Sequence, residues 1–93
     1  MIVGVGRWEL VLHGCQSLKD KRRIVKSLKD RLKQRYDVSA AEVAYQDQWQ
    51  RATLGVAFVS SDPSHAEEVL SACDRLVESE PQAFISSREI TYR

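Results

Sequence analysis

The sequence predicts an α+β fold, namely a ferredoxin-like βαββαβ sandwich in which a four-stranded antiparallel sheet carries two helices on one face. Four segments alternate apolar and polar residues as strands do, and two segments place apolar residues at helical intervals. Their order along the chain allows two adjacent right-handed crossovers. The 93 residues, of which 43% are hydrophobic and 29% charged, are predicted to form a single domain over residues 1–93.

The first two elements are a strand and a strongly charged helix. Alternation over Ile2–Leu12 predicts a strand whose first half is apolar on both faces, as in the middle of a sheet. Ser17 is a good helix N-cap, and Asp20 three residues later has the spacing of a capping box. The apolar stripe that follows predicts a helix over Leu18–Arg35, which Asp37 ends.

The rest of the chain repeats the alternation of strand and helix. Val38–Tyr45 is predicted as the second strand and Ala52–Ser60 as the third, and the polar stretch between them is either a hairpin connection or an extension of both strands. Asp62–Pro63 starts a second helix, because Asp caps it and Pro fits its first turn. Pro81 stops this helix, and Ala83–Tyr92 forms the last strand.

The helices of this fold cover only one face of the sheet. The other face keeps apolar residues of the first strand, including Val3 and Val5, without a helical cover. An uncovered apolar face of this kind favours association, so the sequence predicts a homodimer.

Positive charge is concentrated in one segment. Nine Lys or Arg stand against three Asp from Ser17 to Asp37, which gives this segment a charge of +6, whereas the remaining residues carry −5. The net charge of +1 therefore hides a polarised molecule. Such a charge distribution can attract an anionic partner even when the net charge is near zero.

The cations of the first helix form a ridge opposite its apolar stripe. At 100° per residue, four of them fall within about 60° of one another and a fifth lies at the edge. These residues are Arg22, Lys26, Lys29, Lys33 and, at the edge, Lys19. Asp20 and Asp30 are expected outside the ridge, where they do not neutralise it. Phosphate binding requires such a row, because each cation that meets a phosphate releases a counterion; a solvated or protein-contacting face is the alternative.

The polar connection before the third strand is the least ordinary part of the chain. It reads Gln46-Asp47-Gln48-Trp49-Gln50-Arg51. An indole beside amides, a carboxylate and a guanidinium can stack on a base and read its edge. The alternative is that Trp49 packs as an anchor of the hairpin while Asp47 pairs with Arg51. Lys21, which lies among the apolar residues of the helix, is predicted to snorkel, and Glu42 is a candidate partner for Lys21 or Arg51.

The sequence predicts no catalytic residues, no metal site and no cofactor. His13 and His65 have no Cys or carboxylate at ligand spacing, and Cys15 and Cys73 match neither a disulfide scaffold nor a zinc motif. Gly4–Gly6 lacks the third glycine and the following helix of a dinucleotide fingerprint. We therefore expect a protein that is not an enzyme.

The apolar runs are a few residues long, which is far short of the ~20 needed to cross a bilayer. No basic and apolar leader begins the chain. We expect a cytoplasmic protein that does not bind a membrane.

Six stretches together resemble one known family. They are Val3-Gly4, Glu9-Leu10, Ser17–Arg23, Val38–Val43, Asp47–Gly55 and His65–Leu70. These residues resemble the YlxP-like family of small bacterial proteins of unknown function, and the similarity covers nearly the whole chain. The family usually has Pro where this chain has His13.

The resemblance implies a ferredoxin-like fold and a tendency to form homodimers, and it implies no activity or catalytic residues. Genes of this family often lie between those of a translation initiation factor and a ribosome maturation factor. This position implies work near the ribosome or its RNA.

The leading functional hypothesis is a non-catalytic RNA- or ribosome-associated protein whose partner is ribosomal RNA or a ribosomal subunit. The predicted contacts are Lys19, Arg22, Arg23, Lys26, Lys29, Lys33, Trp49 and Arg51. The alternative is a homodimeric protein-interaction or small-ligand-binding module that uses the open sheet face and has no nucleic-acid role.

Overall fold

A computed structural model describes all 93 residues, and it has the βαββαβ order that the sequence predicts. The elements are β1 (Ile2–Val11), α1 (Leu18–Tyr36), β2 (Ser39–Ala44), β3 (Arg51–Ser60), α2 (Pro63–Glu78) and β4 (Phe84–Tyr92). The strands form one antiparallel sheet in the order β2-β3-β1-β4, with α1 packed on α2 and β2, and α2 packed on β1, β3 and β4. The predicted ferredoxin-like fold is thus confirmed.

The helix ends follow the capping residues closely. Ser17 Oγ accepts a hydrogen bond from the backbone N–H of Asp20 at 3.1 Å, and Asp20 Oδ2 accepts one from the N–H of Gln16 at 3.2 Å. Asp37 adopts the left-handed conformation that commonly ends helices. Asp62 caps α2 by accepting from the N–H of Ser64 at 3.0 Å. Each boundary is therefore set by local hydrogen bonds that satisfy free backbone groups.

The core lies between the helices and the inward face of β1 and β3. Eighteen buried residues form it, among them Trp8 and Leu54 from the sheet. Two glycines of β1 let α2 approach closely: a Cβ on Gly4 would lie 2.7 Å from Leu70 Cδ2, and a Cβ on Gly6 would overlap the ring of Trp8. Their role in β1 is therefore to make room for packing.

A polar network ties β1, α2 and β4 together. The indole N–H of the fully buried Trp8 donates to Asp74 Oδ1 at 2.8 Å. Arg88 donates to Asp74 Oδ2 at 2.7 Å and to Glu78 Oε2 at 3.2 Å. Because a buried indole N–H needs an acceptor, Asp74 is what allows Trp8 to lie in the core.

The face of the sheet opposite the helices carries no covering element. Its exposed apolar residues include Val43, Val59 and Phe84, which are 51%, 60% and 70% exposed. Arg7 lies opposite Glu89 in the register of β1 with β4, so charges are few on this face and occur with both signs. Neither helix has the length and apolar content needed to span a bilayer.

The Trp8 network gives a prediction about stability. Replacing Asp74 with Ala leaves the indole N–H without its acceptor, so we expect a loss of about 1–3 kcal/mol in the free energy of unfolding by urea denaturation. Glu78→Ala is the matched control, because it removes an Arg88 partner whose side chain is 62% exposed and should cost less than about 1 kcal/mol. Equal losses for the two variants would show that the indole bond does not matter.

Candidate nucleic-acid interface

The basic ridge of α1 lies on the flank that faces away from α2. Arg31 on one flank donates to Glu80, just beyond the end of α2, at 2.8 Å. At 100° per residue, Arg22, Lys29 and Lys33 point to the opposite side, above the β2 edge of the sheet. This flank is therefore free of contacts with the second helix.

Two cations of the predicted site are paired with carboxylates. Lys26 Nζ lies 2.7 Å from Asp30 Oδ2, and this hydrogen bond lowers the pKa of Asp30. Arg23 lies 3.8 Å from Asp20. The expectation that Asp30 does not neutralise the ridge is therefore wrong for Lys26, because side chains four residues apart on a helix are neighbours. Asp20 pairs with Arg23, which lies outside the ridge.

The remaining cations of the helix site make no ion pair. They are Lys19, Arg22, Lys29 and Lys33. All four are exposed or half-buried along one side of α1. The charge available to an anionic partner is therefore carried by these four residues, which we call the free basic strip.

Lys21 is fully buried beneath the start of this helix. Its ammonium donates to the backbone carbonyls of Tyr45 at 2.7 Å, Gln46 at 3.2 Å and Arg51 at 3.2 Å. Glu42 Oε2 lies 2.9 Å from the same nitrogen. The prediction that Lys21 snorkels is wrong, and of the two partners proposed for Glu42, the structure selects Lys21.

The four contacts of Lys21 divide into two kinds. An ammonium has three N–H donors, and three carbonyls take them up. The carboxylate of Glu42 then supplies the opposite charge that a buried cation requires. One side chain thereby closes both ends of the β2–β3 connection onto α1.

The connection between β2 and β3 contains a backbone conformation that bulky residues rarely adopt. Tyr45 has a φ of 63°, in the left-handed region. Its carbonyl accepts from Lys21 and from the N–H of Gln48 at 3.0 Å, and its ring lies 4.2 Å below the Arg51 guanidinium. Such a conformation persists only where surrounding contacts hold it.

The first loop holds the same connection from the other side. The amide of Gln50 donates to the carbonyls of His13 and Cys15, both at 3.2 Å, and the N–H of Leu12 donates to the Gln50 carbonyl at 2.9 Å. Residues Gln46 to Gln50 of the polar stretch therefore form a connection outside the strands, held in place by Gln50 and Lys21, whereas Arg51 begins β3.

The alternative interpretation, in which Trp49 packs as an anchor of the hairpin and Asp47 pairs with Arg51, does not match the structure. Trp49 is 53% exposed, so it is not an anchor buried in the hairpin. Arg51 stacks on Tyr45, and Asp47 makes no ion pair or side-chain hydrogen bond. The interpretation that paired Asp47 with Arg51 is wrong, because the left-handed turn at Tyr45 places the ring under the guanidinium.

The predicted contacts lie on α1 and on the β2–β3 connection, and Lys21 joins these two elements. Its ammonium binds the backbone carbonyl of Arg51 from the first turn of α1. Lys29 and Lys33 lie about 12 and 18 Å further along the helix. Tyr45, the aromatic support of Arg51, was missed by the sequence prediction; its position beside a tight connection was the available signal.

A cleft lies where the first loop meets the start of β4. His13, Cys15, Arg23 and Phe84 are among its lining residues. Burial raises the pKa of the Cys15 thiol, and the nearby Asp20 carboxylate raises it further. The thiol is therefore not activated as a thiolate, although it lies two residues from an imidazole.

Known structures share this fold. The chain superimposes on the designed protein Foldit4 with a TM-score of 0.58, 15% identity and coverage of 100% of this chain and 97% of that one. It matches the designed protein LFR1 1 with ferredoxin fold at a TM-score of 0.56 and 14% identity, covering 97% of this chain and 84% of that one. An uncharacterized NIPSNAP domain protein from Burkholderia xenovorans matches with a TM-score of 0.51 and 12% identity, covering 100% of this chain and 92% of that one. These similarities define the class as ferredoxin-like proteins.

Sequence comparison places the chain within a family. Residues 3–90 match the family described as "Protein of unknown function (DUF503)", and the chain belongs to this family. It is 33% identical over 81 residues to the "Uncharacterized protein YlxP" of Bacillus subtilis (strain 168), covering 87% of this chain and 88% of that protein. The family resemblance predicted from the sequence is confirmed.

The burial of Lys21 gives a prediction about stability. Lys21→Met keeps the volume but leaves Glu42 as an uncompensated buried carboxylate, so we expect a loss of about 3–5 kcal/mol in the free energy of unfolding by urea denaturation. Adding Glu42→Gln removes that charge and should restore at least about 1 kcal/mol. The ion pair would be unimportant if the double variant were no more stable than Lys21→Met alone.

Proposed function

We propose that this protein is a cytoplasmic, non-catalytic RNA- or ribosome-associated protein that contacts phosphates through α1. The observation that carries the proposal is the free basic strip of Lys19, Arg22, Lys29 and Lys33, which lies on one side of a helix without acidic partners. Cations without internal partners are available to phosphate, whereas Lys26 and Arg23 would first have to leave Asp30 and Asp20.

The arrangement of like charges supports this interpretation. Lys29 and Lys33 are four residues apart, a spacing at which like charges destabilise a helix by about 0.2–0.5 kcal/mol. Phosphates that bind between such residues remove the repulsion and release condensed counterions. Binding of a polyanion is therefore more favourable on this strip than on a helix surface with interleaved carboxylates.

The β2–β3 connection and the start of β3 offer a second group of candidate contacts. Trp49 offers a half-exposed indole, and Arg51 offers a guanidinium with one face on Tyr45. Aromatic rings and guanidinium planes stack on unpaired bases in RNA. We assign phosphate contacts to the strip, and base or protein contacts to Trp49 and Arg51.

The test is co-sedimentation of the purified protein with 30S, 50S and 70S particles over a salt series. Four phosphate contacts give a slope near −3 in log affinity against log salt, so raising the salt from 50 to 200 mM should weaken binding by roughly 60-fold. Lys29→Glu with Lys33→Glu should weaken retention at least tenfold at low salt, because both substitutions reverse charges in the strip.

The matched control makes the same change of charge away from the strip. Arg75 and Arg93 are exposed outside the helix site, and Arg75→Glu with Arg93→Glu should keep most of the binding. Equal losses for both double variants would indicate only a response to net charge. Retention that ignores salt and survives the strip variant would remove the proposal.

We propose in addition that the protein is a homodimer that pairs through the open sheet face. Val43, Val59 and Phe84 are more than half exposed there. Four strands about 4.8 Å apart and about 30 Å long offer roughly 500–600 Å² on each protomer, which reaches the low end of specific interfaces. The helices lie on the opposite face, so this pairing leaves α1 accessible to RNA.

This dimer can be tested by sedimentation equilibrium over a concentration series. Val59→Asp with Phe84→Asp places one charge at each end of the proposed contact, since Val59 pairs with Val3 and Phe84 with Val11. We expect the mass to fall to that of a monomer. Ser64→Asp with Ser71→Asp adds the same charge on exposed positions of α2 and should leave the mass unchanged. A wild-type protein that stays monomeric at every concentration would exclude the dimer.

A further inference from the structure

We propose that the β2–β3 connection binds a guanine base of single-stranded RNA between the indole of Trp49 and the carboxylate of Asp47. This proposal rests on the RNA binding proposed above and specifies the form of the RNA. The connection forms a shallow concavity lined by Asp47, Gln48, Trp49 and Gln50. Lys21, in the first turn of α1, binds the carbonyls of Tyr45 and Arg51 on either side of this concavity.

Trp49 supplies a stacking surface. Its side chain is 53% exposed, whereas the other tryptophan, Trp8, is fully buried. The indole of Trp49 is not needed to hold the connection, because Lys21 and Gln50 do so through backbone carbonyls. A base that stacks on this indole covers apolar surface that the fold leaves in water.

Asp47 supplies the selectivity. Its carboxylate makes no ion pair or hydrogen bond within the chain, so both oxygens are free acceptors. Guanine presents two adjacent donors, N1–H and the N2 amino group, on its Watson–Crick edge. Adenine and cytosine place one donor beside an acceptor, and uracil has a single donor between two carbonyls. A carboxylate can therefore accept two parallel hydrogen bonds from guanine alone.

The connection is ordered before any base arrives. Lys21 binds the carbonyls of Tyr45, Gln46 and Arg51, and Tyr45 is held in a left-handed conformation. Gln50, which follows Trp49 directly, is tied to the first loop. A site held in this way loses little conformational entropy on binding. The strained residue thus lies next to the groups that we assign to recognition.

The chemistry requires an unpaired base. In a duplex the Watson–Crick edge of guanine is occupied by its partner, and the base faces are stacked on their neighbours. Only a single-stranded segment, a loop or an end can offer both the edge and a face. The free basic strip then contacts the phosphates next to the bound base.

The experiment uses three labelled heptanucleotides, U3GU3, U3AU3 and U7, and measures their affinity for the full chain by fluorescence anisotropy. We expect U3GU3 to bind about tenfold more tightly than the other two, by analogy with the discrimination of bidentate base contacts. Asp47→Asn keeps the shape of the side chain and should reduce the affinity for U3GU3 to that for U3AU3, with no change for U7.

The strip variant separates this site from the proposed function. Lys29→Glu with Lys33→Glu should weaken all three heptanucleotides by the same factor and preserve the preference for guanine. Equal affinity of the wild type for all three, or a guanine preference that survives Asp47→Asn, would overturn the base site while RNA binding stands.

If no heptanucleotide binds, the proposed function fails, and the base site is then tested separately by titration with mononucleotides. GMP should quench the fluorescence of Trp49 more strongly than AMP, and Asp47→Asn should remove the difference. The variant Trp49→Phe reports only the buried Trp8 and provides the blank. Equal quenching by GMP and AMP would overturn the site independently of any RNA result.

Discussion

The burial of one lysine determines how the candidate surface is assembled. Lys21 lies on the apolar side of α1, where its position in the sequence would suit a leucine, and its ammonium meets three carbonyls of the β2–β3 connection and the carboxylate of Glu42. A buried charge is tolerable only with such partners, so the hairpin must return to this point of the helix. The strained Tyr45 and the first turn of α1 are neighbours for that reason.

The two surfaces with the strongest physical character lie on opposite sides of the sheet. The helix side carries the unpaired cations of α1, and the open side carries exposed Val and Phe side chains. The buried apolar stripe of α1 fixes the rotation of this helix, and Arg31, which contacts Glu80 beyond α2, lies on the flank opposite the free basic strip. The polyanion contact proposed for α1 and the dimer contact proposed for the open sheet face therefore do not overlap.

The local sequence pattern was sufficient to predict the helices and strands, but it did not predict the partners of the polar side chains. Ser17, Asp37 and Asp62 end or begin helices through contacts within a few residues, and the strands follow the alternation of apolar residues. The contacts of Lys21, Trp8 and Arg51 join residues that are distant in sequence or lie across a turn, and no periodicity contains them. The pair of Lys26 with Asp30 was also missed, although the two residues are only four positions apart. The position of a Cα atom around the helix axis does not fix where the end of a long lysine side chain lies.

The sequence by itself determined the βαββαβ order, the family and the concentration of positive charge on the first helix, because these follow from composition, spacing and local propensity. Tertiary structure decided that Lys21 is fully buried, that Trp49 stays half in water, and that Asp47 lacks an internal partner. These outcomes depend on how the first loop, the start of α1 and the β2–β3 connection meet. The buried ammonium of Lys21 holds the connection against α1, and the amide of Gln50 holds it against the first loop, because these polar groups need hydrogen-bond partners.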